Sequence, residues 1–142
     1  MEIRRYEKTL PEAAMQIREA VFCREQGFID EFDEIDGTAT HLLLLSDGEP
    51  VGTCRVFKKD GGYFLGRLAV LREFRARGCG RELLLAAEDV VREKGGESLR
   101  LHSQLQAKGF YEAVGYVAAS DADEEQGCPH VWMEKALPEA AV

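Results

Sequence analysis

The stretch from Gly66 to Leu85, GRLAVLREFRARGCGRELLL, constrains this chain more than any other. It begins with the apolar run Leu68-Ala69-Val70-Leu71, which reads as a strand. A basic, glycine-punctuated turn follows, Arg75-Ala76-Arg77-Gly78-Cys79-Gly80. From Arg81 the apolar residues Leu83, Leu84, Ala87, Val90 and Val91 recur at helical spacing. A strand, a glycine turn and a helix start together make a phosphate cradle. The first amides of a helix have no intrahelical partner and point beyond its N-terminus. The helix dipole favours an anion there by about 0.3–1 kcal/mol, and glycines let the oxygens approach the backbone.

Two well-known phosphate loops do not match. The P-loop needs Lys-Ser/Thr after its last glycine, and Arg81-Glu82 follows Gly80 here. The dinucleotide fingerprint needs a third glycine at position 83, which is Leu83. What remains is Arg-x-x-Gly-x-Gly after an apolar strand, or else a plain tight turn made by Gly78 and Gly80.

Charge distribution sharpens this. The formal net charge is −8, which argues against a general nucleic-acid binder. Yet Arg67, Arg72, Arg75, Arg77 and Arg81 cluster in the turn segment against a single acid, Glu73. Acids gather instead at Asp30, Glu31, Asp33, Glu34 and Asp36, and at Asp121, Asp123, Glu124 and Glu125. Such runs are either solvated loops or an attraction for a cationic co-substrate. Cys23, Cys54, Cys79 and Cys128 are scattered with no Cys-x-x-Cys pair, so neither a zinc site nor a disulfide framework is suggested, and no metal is expected. Cys79 reads as an exposed space-filler between glycines. No apolar run approaches the roughly 20 residues that span a bilayer, and the N-terminus has no apolar leader core, so a cytoplasmic location is expected.

At 142 residues the chain reads as a single domain over 1–142. A strand at 2–7 precedes a helix that Thr9 caps, with Glu12 completing a capping box, and that Gly27 ends. An acidic loop at 27–38 leads to the leucine-rich strand Thr40–Leu45, whose unbroken apolar run predicts burial on both faces. Asp47-Gly48 and Asp60-Gly61-Gly62 turn the chain between Thr40–Leu45, Val51–Phe57 and Tyr63–Leu71, an antiparallel meander. After the long helix come a strand at Ser98–His102, a helix at Gln104–Val114, and a strand pair at 116–118 and 130–135 around a mobile acidic loop, 119–129. The tail from Leu137 is expected to be loose.

This order, with Arg-x-x-Gly-x-Gly, resembles the GNAT superfamily of N-acetyltransferases over nearly the whole chain. Gly109-Phe110-Tyr111-Glu112-Ala113-Val114-Gly115-Tyr116 is similar to the family's Phe-Tyr-x-x-x-Gly-Phe/Tyr segment. Arg18–Gln26, Asp33-Glu34-Ile35-Asp36 and Pro129-His130 look like its ElaA-type branch. The resemblance implies an α/β (α+β) GNAT acyl-CoA N-acyltransferase fold: a mixed central sheet of about six to seven strands with flanking helices.

It also implies an acetyl-CoA site. The pyrophosphate would sit on the amides of Arg75, Ala76, Arg77, Gly78, Cys79, Gly80 and Arg81. The pantetheine arm would pair with Leu68, Ala69 and Val70, which requires that strand and Ser98–His102 to splay apart. The small-molecule amine attacks the thioester directly, an amide N–H receives the oxyanion, and Tyr111 protonates the departing thiolate. A reference phenol pKa near 10 against roughly 8.5 for a thiol makes that transfer feasible; packing alone is the other role open to Tyr111. Many relatives carry a glutamate just before the phosphate turn, where this chain has Gly66-Arg67. The base is therefore sought among His41, His102, His130 and the carboxylates from Glu25 to Asp36, with His102 nearest the expected splay. Glu25, His41, Arg55 and His130 are the acceptor-side candidates, Arg55 as a holder of a substrate carboxylate. The missing glutamate keeps a non-catalytic acyl-CoA-binding or sensing module open as the alternative, and an acyl-homoserine lactone synthase is a minor third reading. A homodimer is possible, since dimers are common in the superfamily.

Overall fold

A computed structural model describes residues 1–28 and 32–138. Asp30 and Glu31 of the first acidic run, and the last residues of the tail, lie outside the described residues. The elements are β1 (Glu2–Glu7), α1 (Glu12–Arg18), β2 (Thr40–Ser46), β3 (Glu49–Lys59), β4 (Gly62–Val70), α2 (Cys79–Glu93), β5 (Ser98–Gln104), α3 (Lys108–Glu112), β6 (Val117–Ala118), β7 (Asp123–Glu125) and β8 (Cys128–Ala136). One sheet holds eight strands in the order β1-β2-β3-β4-β5-β8-β6, with β7 also on β8. Every pairing is antiparallel except β4 with β5, which the α2 crossover makes parallel.

The leucine run of β2 explains the layering. Successive strand side chains point to opposite faces. Leu42 and Leu44 therefore pack with Leu83, Leu84, Ala87, Val90 and Val91 of α2, while Leu43 and Leu45 pack with Ala14, Ile17 and Val21 below the other face. All four leucines are buried, as the unbroken run predicts. Gly52 lets α2 sit close: a Cβ there would lie 2.9 Å from Leu83 Cδ1.

The first helix departs from expectation. Its N-cap is Pro11, with no side-chain cap, so the Thr9–Glu12 capping box does not form. Beyond Arg18 the helix widens into a π-helical segment, Glu19–Glu25, in which Gln26 N–H donates to Val21 C=O over five residues. Gly27 then ends it at φ 77°. The 119–129 loop is not without structure, since β7 pairs with β8 through Asp123 opposite His130. The tail is not loose at its start either: Leu137 is buried and its N–H donates to Glu97 C=O at 2.8 Å.

The acidic loop is fixed by a buried ion network. Arg18 donates to both oxygens of Asp36 at 2.8 and 3.1 Å. Arg55 Nη1 donates to Asp36 Oδ1 (2.9 Å) and Asp33 Oδ1 (2.6 Å), and its Nη2 donates to Asp33 Oδ2 (3.1 Å). The Arg18 and Arg55 side chains are 1% and 3% exposed. These acids are thus consumed internally rather than presented to a cationic substrate.

Removing the shared carboxylate takes an anionic partner from two buried guanidiniums at once. Asp36→Ala is expected to cost about 3–5 kcal/mol in urea unfolding, against less than about 0.5 kcal/mol for the exposed Glu34→Ala. A loss below about 1 kcal/mol for Asp36→Ala would contradict this role. Burial alone would raise the Asp36 carboxyl, but hydrogen bonds from Arg18 and Arg55 hold it below its ordinary 3.8. Its contribution is therefore complete above the unfolded value and is lost as pH falls through the lowered one.

Candidate functional site

Parallel pairing of β4 with β5 runs only through Tyr63–Leu99, Phe64–Arg100 and Leu65–Leu101. Beyond Leu65 the strands part, although β4 continues to Val70 and β5 to Gln104. The cause is local. Between Thr53–Ala69 and Arg55–Gly66, β4 carries one residue more than β3, a β-bulge, with Arg67 at φ 55°. The bulge bends β4 away and opens a cleft of about 640 Å³. Leu68 lies on its β4 wall, His102 and Gln104 on its β5 wall, and Phe22 and Gln26 reach it from the π-helical segment.

One end of the cleft meets the glycine turn. Ala76 has φ 62°, and Gly78 is the N-cap of α2 in the left-handed region at φ 81°. No side-chain oxygen caps this helix, so its first-turn amides face outward. That leaves a ready anion site at the start of a fifteen-residue helix. Cys79 contributes only backbone here: its thiol is buried, 3.7 Å from Met1 Sδ, correcting the expectation of exposure. Phe110 of α3 abuts the turn, and a Cβ on Gly80 would lie 3.2 Å from its Cζ. Arg77 lies over the Phe74 ring at 5.4 Å. Arg75 is held by Glu25 in a two-pronged pair of 2.7 and 2.8 Å, and its Nε donates to Val70 C=O. The Arg75 hydrogen bonds hold the Glu25 carboxyl below its ordinary value. Glu25 is thus tied to the turn.

The opposite wall is aromatic. Phe57, Phe64, Trp132, His102 and His130 follow one another at centroid separations of 5.6, 6.0, 4.5 and 4.6 Å. His102 Nε2 is 2.7 Å from Asp123 Oδ1, and His130 Nδ1 is 2.8 Å from the Cys128 carbonyl. Those oxygens accept, so these two nitrogens carry the hydrogens. The remaining nitrogens, His102 Nδ1 and His130 Nε2, lie 3.3 and 3.5 Å from Glu125 Oε2.

Tyr111 lines the cleft and is buried, edge-on to Phe110 and Tyr116. Burial pushes its phenol well above the usual range, helped by nearby Cys54, so it keeps its proton at neutral pH. His41 sits away from the cleft wall. It is buried, with Nε2 2.9 Å from the Asp36 carbonyl, and burial lowers its pKa. Arg55 borders the cleft, but Asp33 and Asp36 occupy its terminal nitrogens. The structure therefore brings Tyr111, His102, His130 and Leu68 to one cleft and engages Arg55 and His41 elsewhere. Sequence reasoning missed Asp123, Glu125 and Trp132. The first two sat inside a run read as a solvated loop, and only the nearby Pro129-His130 pair marked the region.

The acetyltransferase (GNAT) domain family model matches residues 11–137. A Bacillus subtilis (strain 168) protein named as a candidate acetyltransferase is 42% identical over 127 residues, covering 86% of each chain. The crystal structure of Escherichia coli ElaA superposes with a TM-score of 0.84 at 25% identity, covering 94% of this chain and 98% of that one. That of an acyl-CoA N-acyltransferase from Pseudomonas aeruginosa gives 0.85 at 25% identity, covering 96% and 100%.

The hydrogen-bond partners predict opposite tautomers, Nε2–H on His102 and Nδ1–H on His130. Imidazole 15N shifts in the neutral protein test this, and the reverse assignment for either ring would contradict the geometry. Asp123→Asn is expected to leave His102 a mixture of tautomers while His130 is unchanged.

Proposed function

This chain belongs to the acetyltransferase (GNAT) family, in its ElaA-like branch, and from that premise we propose that it transfers acetyl from acetyl-CoA directly to the amine of a small molecule. The observation that carries the reading is one continuous opening. It follows β4 beyond its last pair with β5, from Arg75, which leads in sequence to the uncapped start of α2, to His102 and His130 at the other end.

The pyrophosphate takes the amides from Arg75 to Gly80 and the charge of Arg77 and Arg81. Arg75 joins them by exchanging Glu25 for phosphate, which costs little because an exposed pair is worth about 0–1 kcal/mol. The pantetheine amides pair with Leu68, Ala69 and Val70 as an added strand. At the far end, His102 Nδ1 takes a proton from the acceptor ammonium, with Asp123 fixing its tautomer. His130 Nε2 accepts a second amine hydrogen and orients the nitrogen. The freed amine attacks the thioester carbon, and a β4 amide holds the oxyanion. Collapse breaks the C–S bond, the Tyr111 hydroxyl gives its proton to the thiolate, and the proton shed by the acylated nitrogen returns to the Tyr111 phenolate. Burial raises the phenol, but the same dry surroundings disfavour a bare thiolate, so the transfer stays matched.

Thiol release from acetyl-CoA across polyamines, amino sugars, amino acids, aminoglycosides and lysine peptides tests the activity and names the acceptor class. Tyr111→Phe is expected to keep acetyl-CoA affinity and lower turnover by about 10²-fold or more. Unchanged turnover would remove Tyr111 from the acid role. Tight acetyl-CoA binding with no release from any acceptor would favour a binding module over an enzyme.

A further inference from the structure

Three groups able to bind a metal, His102, Glu125 and His130, meet at the β5–β7–β8 end of the cleft. His102 directs one ring nitrogen to Asp123 and His130 directs one to the Cys128 carbonyl, and the second nitrogen of each lies near the Glu125 carboxylate. Such an arrangement calls for positive charge at its centre.

We propose that His102, Glu125 and His130 form a binding site for a zinc-like divalent transition metal ion. Two of the three separations match one directly. Metal–ligand bonds of about 2.0–2.2 Å in a tetrahedral shell place ligand atoms about 3.3–3.6 Å apart. Glu125 Oε2 lies 3.3 Å from His102 Nδ1 and 3.5 Å from His130 Nε2, and ligand atoms of the three residues lie within 4.8 Å of one another. Two imidazoles and a carboxylate are a donor set that zinc accepts while keeping a fourth position open. The outer partners are also in place. A ligating histidine typically gives its other N–H to a carboxylate or a backbone carbonyl, and here Asp123 and Cys128 supply one of each. The anchoring differs along the chain: His130 is buried on β8, whereas Glu125 is on the exposed β7 and can adjust.

The site has a consequence that rests on the function proposed above. The lone pairs that would hold the metal are those assigned to deprotonating and orienting the amine. Metal and ammonium therefore compete, and a bound ion shuts off transfer until it is chelated.

Cobalt(II) added to the protein stripped of metal with a chelator tests the site without any substrate. One equivalent is expected to give the strong visible absorption of a four-coordinate cobalt centre, bleached by one equivalent of zinc. Glu125→Gln and His102→Gln should abolish the band, Asp123→Asn should weaken affinity about 10–100-fold, and Cys128→Ser and Glu124→Gln should leave it intact. No band in the wild-type protein, or a band that survives Glu125→Gln, would overturn the site, as would one that depends on Cys128. Separately, zinc is expected to suppress thiol release in step with occupancy and EDTA to restore it. Full occupancy with undiminished release would overturn the competition while leaving the site.

Discussion

The cleft in this molecule depends on β4 failing to stay paired with β5. Two strands joined by the α2 crossover would ordinarily remain zipped, because unpaired backbone groups in a sheet interior are costly. Here pairing stops at Leu65–Leu101, at a bulge that sets Arg67 in the left-handed region. An exposed strand edge normally invites aggregation. Recessed between two walls, the same edge is open to an extended ligand but shielded from another sheet.

The rest of the fold holds that cleft in shape from two sides. On one side the π-helical turn displaces the end of the first helix so that Phe22 and Gln26 reach the cleft, while Glu25 ties it to Arg75. Behind it, Arg18, Asp36, Arg55 and Asp33 lock the acidic loop against β3. On the other side β8 pairs with β5 along its whole length and carries Trp132 and His130 into the wall. Negative charge predominates in the chain, yet its acids near the cleft mostly neutralise neighbouring arginines. The uncapped start of α2 remains the most favourable place for an anion.

Much of this was legible in the letters where one element carries its own signal. The β2 leucines announced two-sided burial, and the apolar strand, glycine turn and amphipathic helix announced β4, the turn after it and α2. What stayed hidden depends on contacts between elements. Thr9 looked like a cap, but Pro11 starts the helix and no hydroxyl is needed. A 3.6-residue period cannot reveal a π turn, since the apolar stripe continues through it. Nothing local shows that Asp33 and Asp36 fold back onto Arg55. Asp123 and Glu125 are exposed, as a solvated run implies, but three-residue strands have no periodicity, and only pairing with β8 brings them to His102 and His130.

The unpaired length of β4 and the start of α2 are proposed to form one acyl-CoA site, which amide hydrogen exchange with and without acetyl-CoA would reveal. Slowed exchange is expected at the Leu68–Val70 stretch and the amides from Ala76 to Arg81, with β1 and β2 unaffected. Unchanged exchange at both stretches under saturating acetyl-CoA, or protection centred on another surface, would contradict it.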